Sequence, residues 1–199
     1  MCKVIAVTNR NLCAGDFLEQ IRILCRVGVD KIILREKDLT EEAYEKLACE
    51  VLSVCEAFPV EVVLHKNIQV AKKIGISKIH LSIPLLAEYR EELAEWKQLG
   101  VSVHSLEQLR IAENFDADYV FYGHVFETDC KKGVPPRGLC ALEEICRKTR
   151  IPVYAIGGIS PENANQAIGA GAAGVCVMSL GMQQKESVIR EFVEKCHGM

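Results

Sequence analysis

Short, β-branched apolar runs recur along the chain at Val4–Val7, Ile32–Leu34, Val60–Leu64, Ile79–Leu81, Val101–Val103, Tyr119–Tyr122, Val153–Ile156 and Val175–Val177. Each has the length and composition of a strand buried on both faces. Between these runs the apolar positions change to helical spacing. Tyr44, Leu47, Ala48, Val51, Leu52 and Cys55 form one stripe, and Leu86, Tyr89, Leu93 and Trp96 form another. Val188, Ile189, Phe192 and Val193 give a last helix its inner face. Helix starts are signalled at Thr40 before Glu41-Glu42, at Ser105 with Gln108 three residues on, and near Pro161 in Ser160-Pro161-Glu162.

Strands alternating with helices leave two architectures, a closed barrel or an open doubly wound sheet. Eight such units in one chain of this length point to the barrel. The expected fold is α/β, a single compact (β/α)8 TIM barrel forming one domain over residues 1–199. The interval from the Tyr119 strand to the Val153 strand is the longest, and its surplus lies between Gly123 and Arg137. That segment follows a strand's carboxyl end, where barrel enzymes carry their chemistry, and long loops there are lids or binding loops.

Composition narrows the function classes. The chain is 49% hydrophobic and 26% charged, which is globular, and its net charge of −3 supplies no basic field for nucleic acid or an anionic membrane. A small anionic metabolite needs only a local positive pocket. No apolar run approaches the roughly 18 residues of a membrane span, and Met1–Thr8 reads as a strand rather than a signal peptide, so a cytoplasmic location is expected. The ten cysteines include no Cys-x-x-Cys pair, and they are expected to be reduced and mostly small core residues. The pattern does not separate core-facing from exposed apolar helix positions, so it is compatible with a homo-oligomer without requiring one.

Several strand ends carry candidate chemistry. Gly157 and Gly158 follow the seventh strand before a helix start, leaving backbone N–H groups open to an anion, and Ser179 ends the eighth strand beside them. The same glycines also suit a plain tight turn. Arg35 and Lys37 would share one face after the second strand, with Glu36 on the other; they would receive an anion or form a solvated strand end. His124 opens the long loop, and an imidazole titrating near neutrality suits proton transfer there; a hydrogen bond to the loop backbone is its structural alternative. His65 and His80 would line the mouth, His104 would serve a helix start, and His197 lies in the tail. No carboxylate accompanies the histidines at ligand spacing, so neither metal nor cofactor is expected. Further along the loop, Lys131 and Lys132 could contact an anion and Thr128 a heterocycle, while Cys130 lacks an adjacent base and is expected to be inert.

The run Tyr122-Gly-His-Val-Phe-Glu-Thr-Asp-Cys-Lys-Lys-Gly133 resembles the TenI-type thiazole tautomerases, relatives of thiamine phosphate synthase. The likeness extends through Val7-Thr-Asn-Arg10, Leu34-Arg-Glu-Lys37, Ser102-Val-His-Ser-Leu-Glu107, Ala155-Ile-Gly-Gly-Ile159 and Val177-Met-Ser179. It implies a (β/α)8 barrel and a site holding a phosphorylated thiazole through Arg35, Lys37, Ser102, Thr128, Lys131, Gly157, Gly158, Met178 and Ser179. The synthases join a pyrimidine pyrophosphate to a thiazole phosphate with magnesium, held by acids after the third and fourth strands. Here those places read His65-Lys66-Asn67 and Ser82-Ile83-Pro84-Leu85. Magnesium wants hard oxygen ligands, and a lysine repels it.

The resemblance also implies a role for His124, which matches the tautomerases' acid/base where the synthases carry proline. The leading expectation is therefore a metal-independent isomerase that aromatises a thiazole carboxylate phosphate tautomer. A diverged, magnesium-dependent synthase and a non-catalytic binder of thiazole or thiamine phosphate are the alternatives.

Overall fold

The computed structural model describes residues 2–199, and its eight parallel strands close into a barrel, each paired with its neighbours in chain order. The strands are β1 (Lys3–Val7), β2 (Lys31–Leu34), β3 (Glu61–His65), β4 (Lys78–Ser82), β5 (Gln98–Val103), β6 (Tyr119–Gly123), β7 (Val153–Ile156) and β8 (Gly174–Val177). Pairing of β1 with β8, Val4 opposite Val175, closes the ring and excludes the open sheet. The helices are α1 (Phe17–Arg26), α2 (Glu41–Cys55), α3 (Ile68–Lys73), α4 (Ile83–Glu88), α5 (Leu106–Asn114), α6 (Gly138–Lys148), α7 (Ala164–Gly169), α8 (Ser179–Gln183) and α9 (Glu186–His197).

The continuous apolar runs follow from burial on both strand faces. Alternate residues point outward, so Val4, Ala6, Ile32, Leu34 and Leu64 meet the helices in the larger core. Their neighbours Ile5, Val7, Ile33, Val63, Phe121 and Cys176 fill the barrel. At its amino-terminal end the filling turns polar. Lys31 Nζ lies 2.7 Å from Gln98 Oε1 and 3.0 Å from Glu61 Oε1, and 4.1 Å from the Tyr119 ring centroid. The pairing keeps this ammonium satisfied, although burial lowers its pKa.

Helix starts are capped as the sequence indicates at Thr40, which accepts from Ala43 N, and at Ser105, which accepts from Gln108 N. Gln108 departs from a reciprocal capping box by accepting from His104 N instead of the cap's own N–H. Three other expectations need correction. The helix expected near Pro161 begins at Ala164, because Asn163 Oδ1 accepts from Ser160 N and its Nδ2 donates to Gly158 O, knitting the preceding residues into a turn. The Leu86–Trp96 stripe is not one helix. α4 ends before Tyr89, and Arg90–Glu95 winds as a 3-10 helix whose three-residue repeat aligns Glu92 and Glu95 on Lys72, at 2.7 and 2.8 Å. Val188 lies on the solvent side of α9, whose buried face is Ile189, Phe192, Val193 and Cys196. Seven of the ten cysteines are core residues, as expected: five are buried and Cys13 and Cys146 pack against the core, while Cys49, Cys130 and Cys140 are exposed. No helix is long and apolar enough to cross a membrane among the described residues.

Candidate active site

The strands' carboxyl ends form the mouth of the barrel, and a buried carboxylate organises one side of it. Glu36 accepts from Thr8 Oγ1 at 2.6 Å, from Arg10 N at 3.1 and 3.0 Å, and from Arg10 Nη1 at 3.3 Å. Arg10 also grips Asp38 through two bonds of 2.6 and 2.7 Å, which holds that carboxyl well below its usual range. Thr8 Oγ1 in turn accepts from Arg35 N at 2.9 Å. The Arg35 backbone is thereby tethered, while Glu36 is turned toward β1 and spent on Arg10. Tyr44 secures the next step round the ring: its hydroxyl donates to Leu34 O at 2.6 Å and accepts from His65 N at 3.3 Å.

With Glu36 occupied elsewhere, cations are left together at the mouth. The Lys37 pKa is lowered first by Arg35, then by burial, then by Lys66 and Lys131, so four like charges converge from β2, β3 and the long β6–α6 loop. Burial pushes the Arg35 guanidinium down as well, against the pull of Glu36 and Cys130. None of the four is in an ion pair among the described residues, whereas Lys132 lies 3.7 Å from Asp129. Lys66 owes its position to a left-handed backbone, φ 70°, with its N–H donating to His80 O at 3.1 Å. Such a group makes the local potential positive and favourable to an anion.

His124 sits across the mouth at the head of the long loop. It is only 9% exposed, and its Nε2 lies 3.1 Å from the Val134 carbonyl. A carbonyl only accepts, so Nε2 carries a proton, and in the neutral form of the ring the lone pair is therefore on Nδ1. The backbone-bonded alternative is thus realised at one nitrogen, leaving the other for chemistry. Glycines make this placement fit. A Cβ on Gly157 (φ +95°) would lie 2.2 Å from His124 Cβ, and one on Gly158 (φ +68°) would lie 2.2 Å from Glu127 O. The loop is laced to β7 by Val125 N donating to Ile156 O and Phe126 N to Gly157 O. Gly123 O accepts from His104 Nδ1 at 2.6 Å and Arg137 Nε at 3.1 Å, which gives His104 its structural role.

The expected phosphate corner is assembled from adjacent strands. β7 pairs with β8, Ile156 opposite Cys176, so the Gly157-Gly158 turn neighbours Met178 and Ser179, where α8 begins. Thr128 caps the 3-10 turn Asp129–Lys131, its Oγ1 accepting from Cys130 N at 3.4 Å, and Lys131 is exposed. A cavity of about 640 Å³ lies against this loop, between Thr128 and Pro136. A second, of about 310 Å³, lies away from the mouth beside α2 and the start of β4.

The histidines at the end of β3 and within β4 separate. His65 stays near the mouth, whereas His80 is buried inside the barrel, one pleat below the end of β4, so it does not line the opening. Their rings stack at 6.0 Å. Burial holds both neutral, with pKa values lowered to about 2 for His65 and about 3 for His80. His80 Nε2 lies 2.8 Å from Ser102 Oγ and its Nδ1 3.3 Å from Tyr119 Oη. His197 pairs with Asp30 at 2.9 Å, far along the chain from this network. Sequence reasoning passed over Glu36 as an organiser, Tyr119, and Lys66 as one of the converging cations. The available signal for Tyr119 was a polar residue at an inward-facing strand position.

Magnesium, implied for the synthases by the resemblance, does not suit the donors at these strand ends. His65, Lys66 and Asn67 at the end of β3 and Ser82 to Leu85 at the end of β4 offer no carboxylate, and Lys66 adds a repelling charge. Among the described residues no three His, Cys, Asp or Glu side chains gather as a metal site.

Comparison with known proteins agrees on the lineage. Thiamine-phosphate synthase 2 of Streptococcus pneumoniae is 32% identical over 203 residues, covering 99% of this chain and 96% of that protein. Thiamine-phosphate synthase of Enterococcus faecalis is 32% identical over 201 residues, covering 99% and 92%. The solved thiamine phosphate pyrophosphorylase from Pyrococcus furiosus superposes with a TM-score of 0.84 at 26% identity, covering 98% of this chain and 96% of that one. The family pattern described as thiamine monophosphate synthase, TMP-TENI, matches residues 4–180, and the chain belongs to that family.

Proposed function

We propose that this family member is a thiazole tautomerase: it moves a proton on a phosphorylated thiazole carboxylate, converting the non-aromatic ring to the aromatic one without a metal. The observation that carries the reading is His124, seated against Gly157 with Nε2–H engaged by Val134 O. Nδ1 takes the ring proton. The Val134 carbonyl then stabilises the imidazolium through the bond already in place, and the same nitrogen returns the proton to complete the shift. The backbone at Gly157 and Gly158 and the start of α8 at Met178 and Ser179 hold the phosphate. Arg35, Lys37 and Lys131 neutralise the carboxylate, a task no magnesium ion is suited to perform beside Lys66. Ser102 and Thr128 contact the ring.

A second reading is supported by the names of the relatives, which are thiamine-phosphate synthases: condensation of a pyrimidine pyrophosphate with the thiazole phosphate. The two readings separate on His124→Ala. A tautomerase loses roughly 10²–10⁴-fold in kcat, the usual contribution of a general acid–base, and retains affinity for the aromatic product. Undiminished aromatisation in the variant would place the base elsewhere.

A further inference from the structure

We infer that Tyr119 and His80 are positioning residues that fix the direction of a hydrogen-bond relay, so that Ser102 offers its hydroxyl proton, never its lone pairs alone, to whatever occupies the mouth. The argument begins at the bottom of the relay. Tyr119 is 2% exposed, and among the described residues its hydroxyl has His80 Nδ1 as its one hydrogen-bond partner, at 3.3 Å. The space for this pair is made by Gly100 on β5, where a Cβ would lie 2.3 Å from Tyr119 Oη and 2.6 Å from His80 Nδ1. The nearby Lys31 ammonium sits over the ring and is itself a donor, so it cannot receive the phenol proton.

A buried hydroxyl left without an acceptor costs about 1–3 kcal/mol. The Tyr119 O–H therefore donates to Nδ1, which makes Nδ1 the acceptor of a neutral imidazole. The ring proton then resides on Nε2 and is donated to Ser102 Oγ at 2.8 Å. Protonation of both nitrogens, the one state that would erase this direction, is opposed by complete burial of the ring. The reverse relay, with Ser102 donating to Nε2 and Nδ1 donating to Tyr119 Oη, strands the phenol proton in the core. Ser102 accepts from below, has no other hydrogen-bond partner among the described residues and is partly exposed at the end of β5. Its own proton is free to point into the mouth. The position selects a ligand acceptor, a ring nitrogen lone pair or an anionic oxygen, and disfavours a ligand N–H at that point. The identity of that ligand atom rests on the functional reading above, whereas the relay does not.

The test reads the relay directly. Long-range 1H–15N correlation spectra of the 15N-labelled full chain distinguish the two imidazole tautomers, with His80→Gln identifying the resonance. His80 is expected as the Nε2–H tautomer, without titration between pH 5.5 and 8. A resonance of the Nδ1–H tautomer, or one that titrates in that range, overturns the inference. Affinity for the aromatic thiazole carboxylate phosphate supplies the second arm. Ser102→Ala is expected to weaken it about tenfold with the His80 tautomer unchanged, and equal affinity in the variant refutes the donor role. Failure of wild type to bind this probe would count against the functional reading alone, and the tautomer would still decide the relay.

Discussion

Gly157→Ala tests whether His124 is held by the absence of a side chain beside it. The position has φ +95°, where an alanine costs roughly 1–2 kcal/mol from backbone sterics. A Cβ would also sit 2.2 Å from His124 Cβ and 2.6 Å from His124 Cα, more than an ångström inside the roughly 3.5–4.0 Å of an ordinary carbon contact. Relieving that overlap adds roughly 1–3 kcal/mol, since the neighbour is the residue's own backbone rather than a flexible tip. The sum is about 2–5 kcal/mol. Gly28 provides the control, with φ +83° and nothing within 4 Å of an added Cβ, so Gly28→Ala carries the backbone cost alone. Urea unfolding of both variants measures the difference. The aromatisation rate measures whether His124 has moved, because a displacement near 1 Å at a reacting group costs about 10²-fold. Equal stability and equal rate in the two variants would refute the reasoning.

Three further outcomes follow from the geometry. Glu36→Ala strands the Thr8 hydroxyl proton and the Arg10 backbone N–H, while the Arg10 guanidinium keeps Asp38, and is expected to cost about 1–3 kcal/mol, read as a lowered urea midpoint. Tyr44→Phe leaves Leu34 O and His65 N without their shared partner and is expected to lose about 1–3 kcal/mol by the same assay. Stability should also fall in mild acid. His65 and His80 have folded pKa values of about 2 and about 3, below the unfolded value near 6.5, so the unfolded chain binds protons first as pH drops. Their neutral burial is without penalty above pH 6.5 and opposes folding increasingly below it, by about 2 kcal/mol per histidine between pH 7.5 and 5. Urea midpoints at those two pH values check this, and His80→Gln should flatten the dependence.

The barrel was legible because burial on both strand faces leaves uninterrupted apolar runs, and the long loop stood out from the spacing of those runs. Helix detail was less legible. Tyr89 leaves the α-helical conformation, and Asn163 binds back to Gly158, so tertiary and turn contacts override the stripe and the Ser-Pro-Glu signal. At the site, Gly157, Gly158 and His124 could be placed at strand ends from order alone. The direction in which Glu36 turns could not, since it depends on Thr8 and Arg10 in the segment that follows β1. His80 was assigned to the mouth because its strand appeared to end there; β4 continues to Ser82 and drops the ring into the core.

The central claim is metal-independent proton transfer at a phosphorylated thiazole, and one comparison tests it. The full chain is mixed with the non-aromatic thiazole carboxylate phosphate tautomer in excess chelator, and appearance of the aromatic ring is followed by ultraviolet absorbance. Acceleration over the uncatalysed rate, unchanged when magnesium replaces the chelator, is the predicted result. No acceleration, with thiamine phosphate formed once magnesium and the pyrimidine pyrophosphate are supplied, would contradict the account and establish the synthase instead.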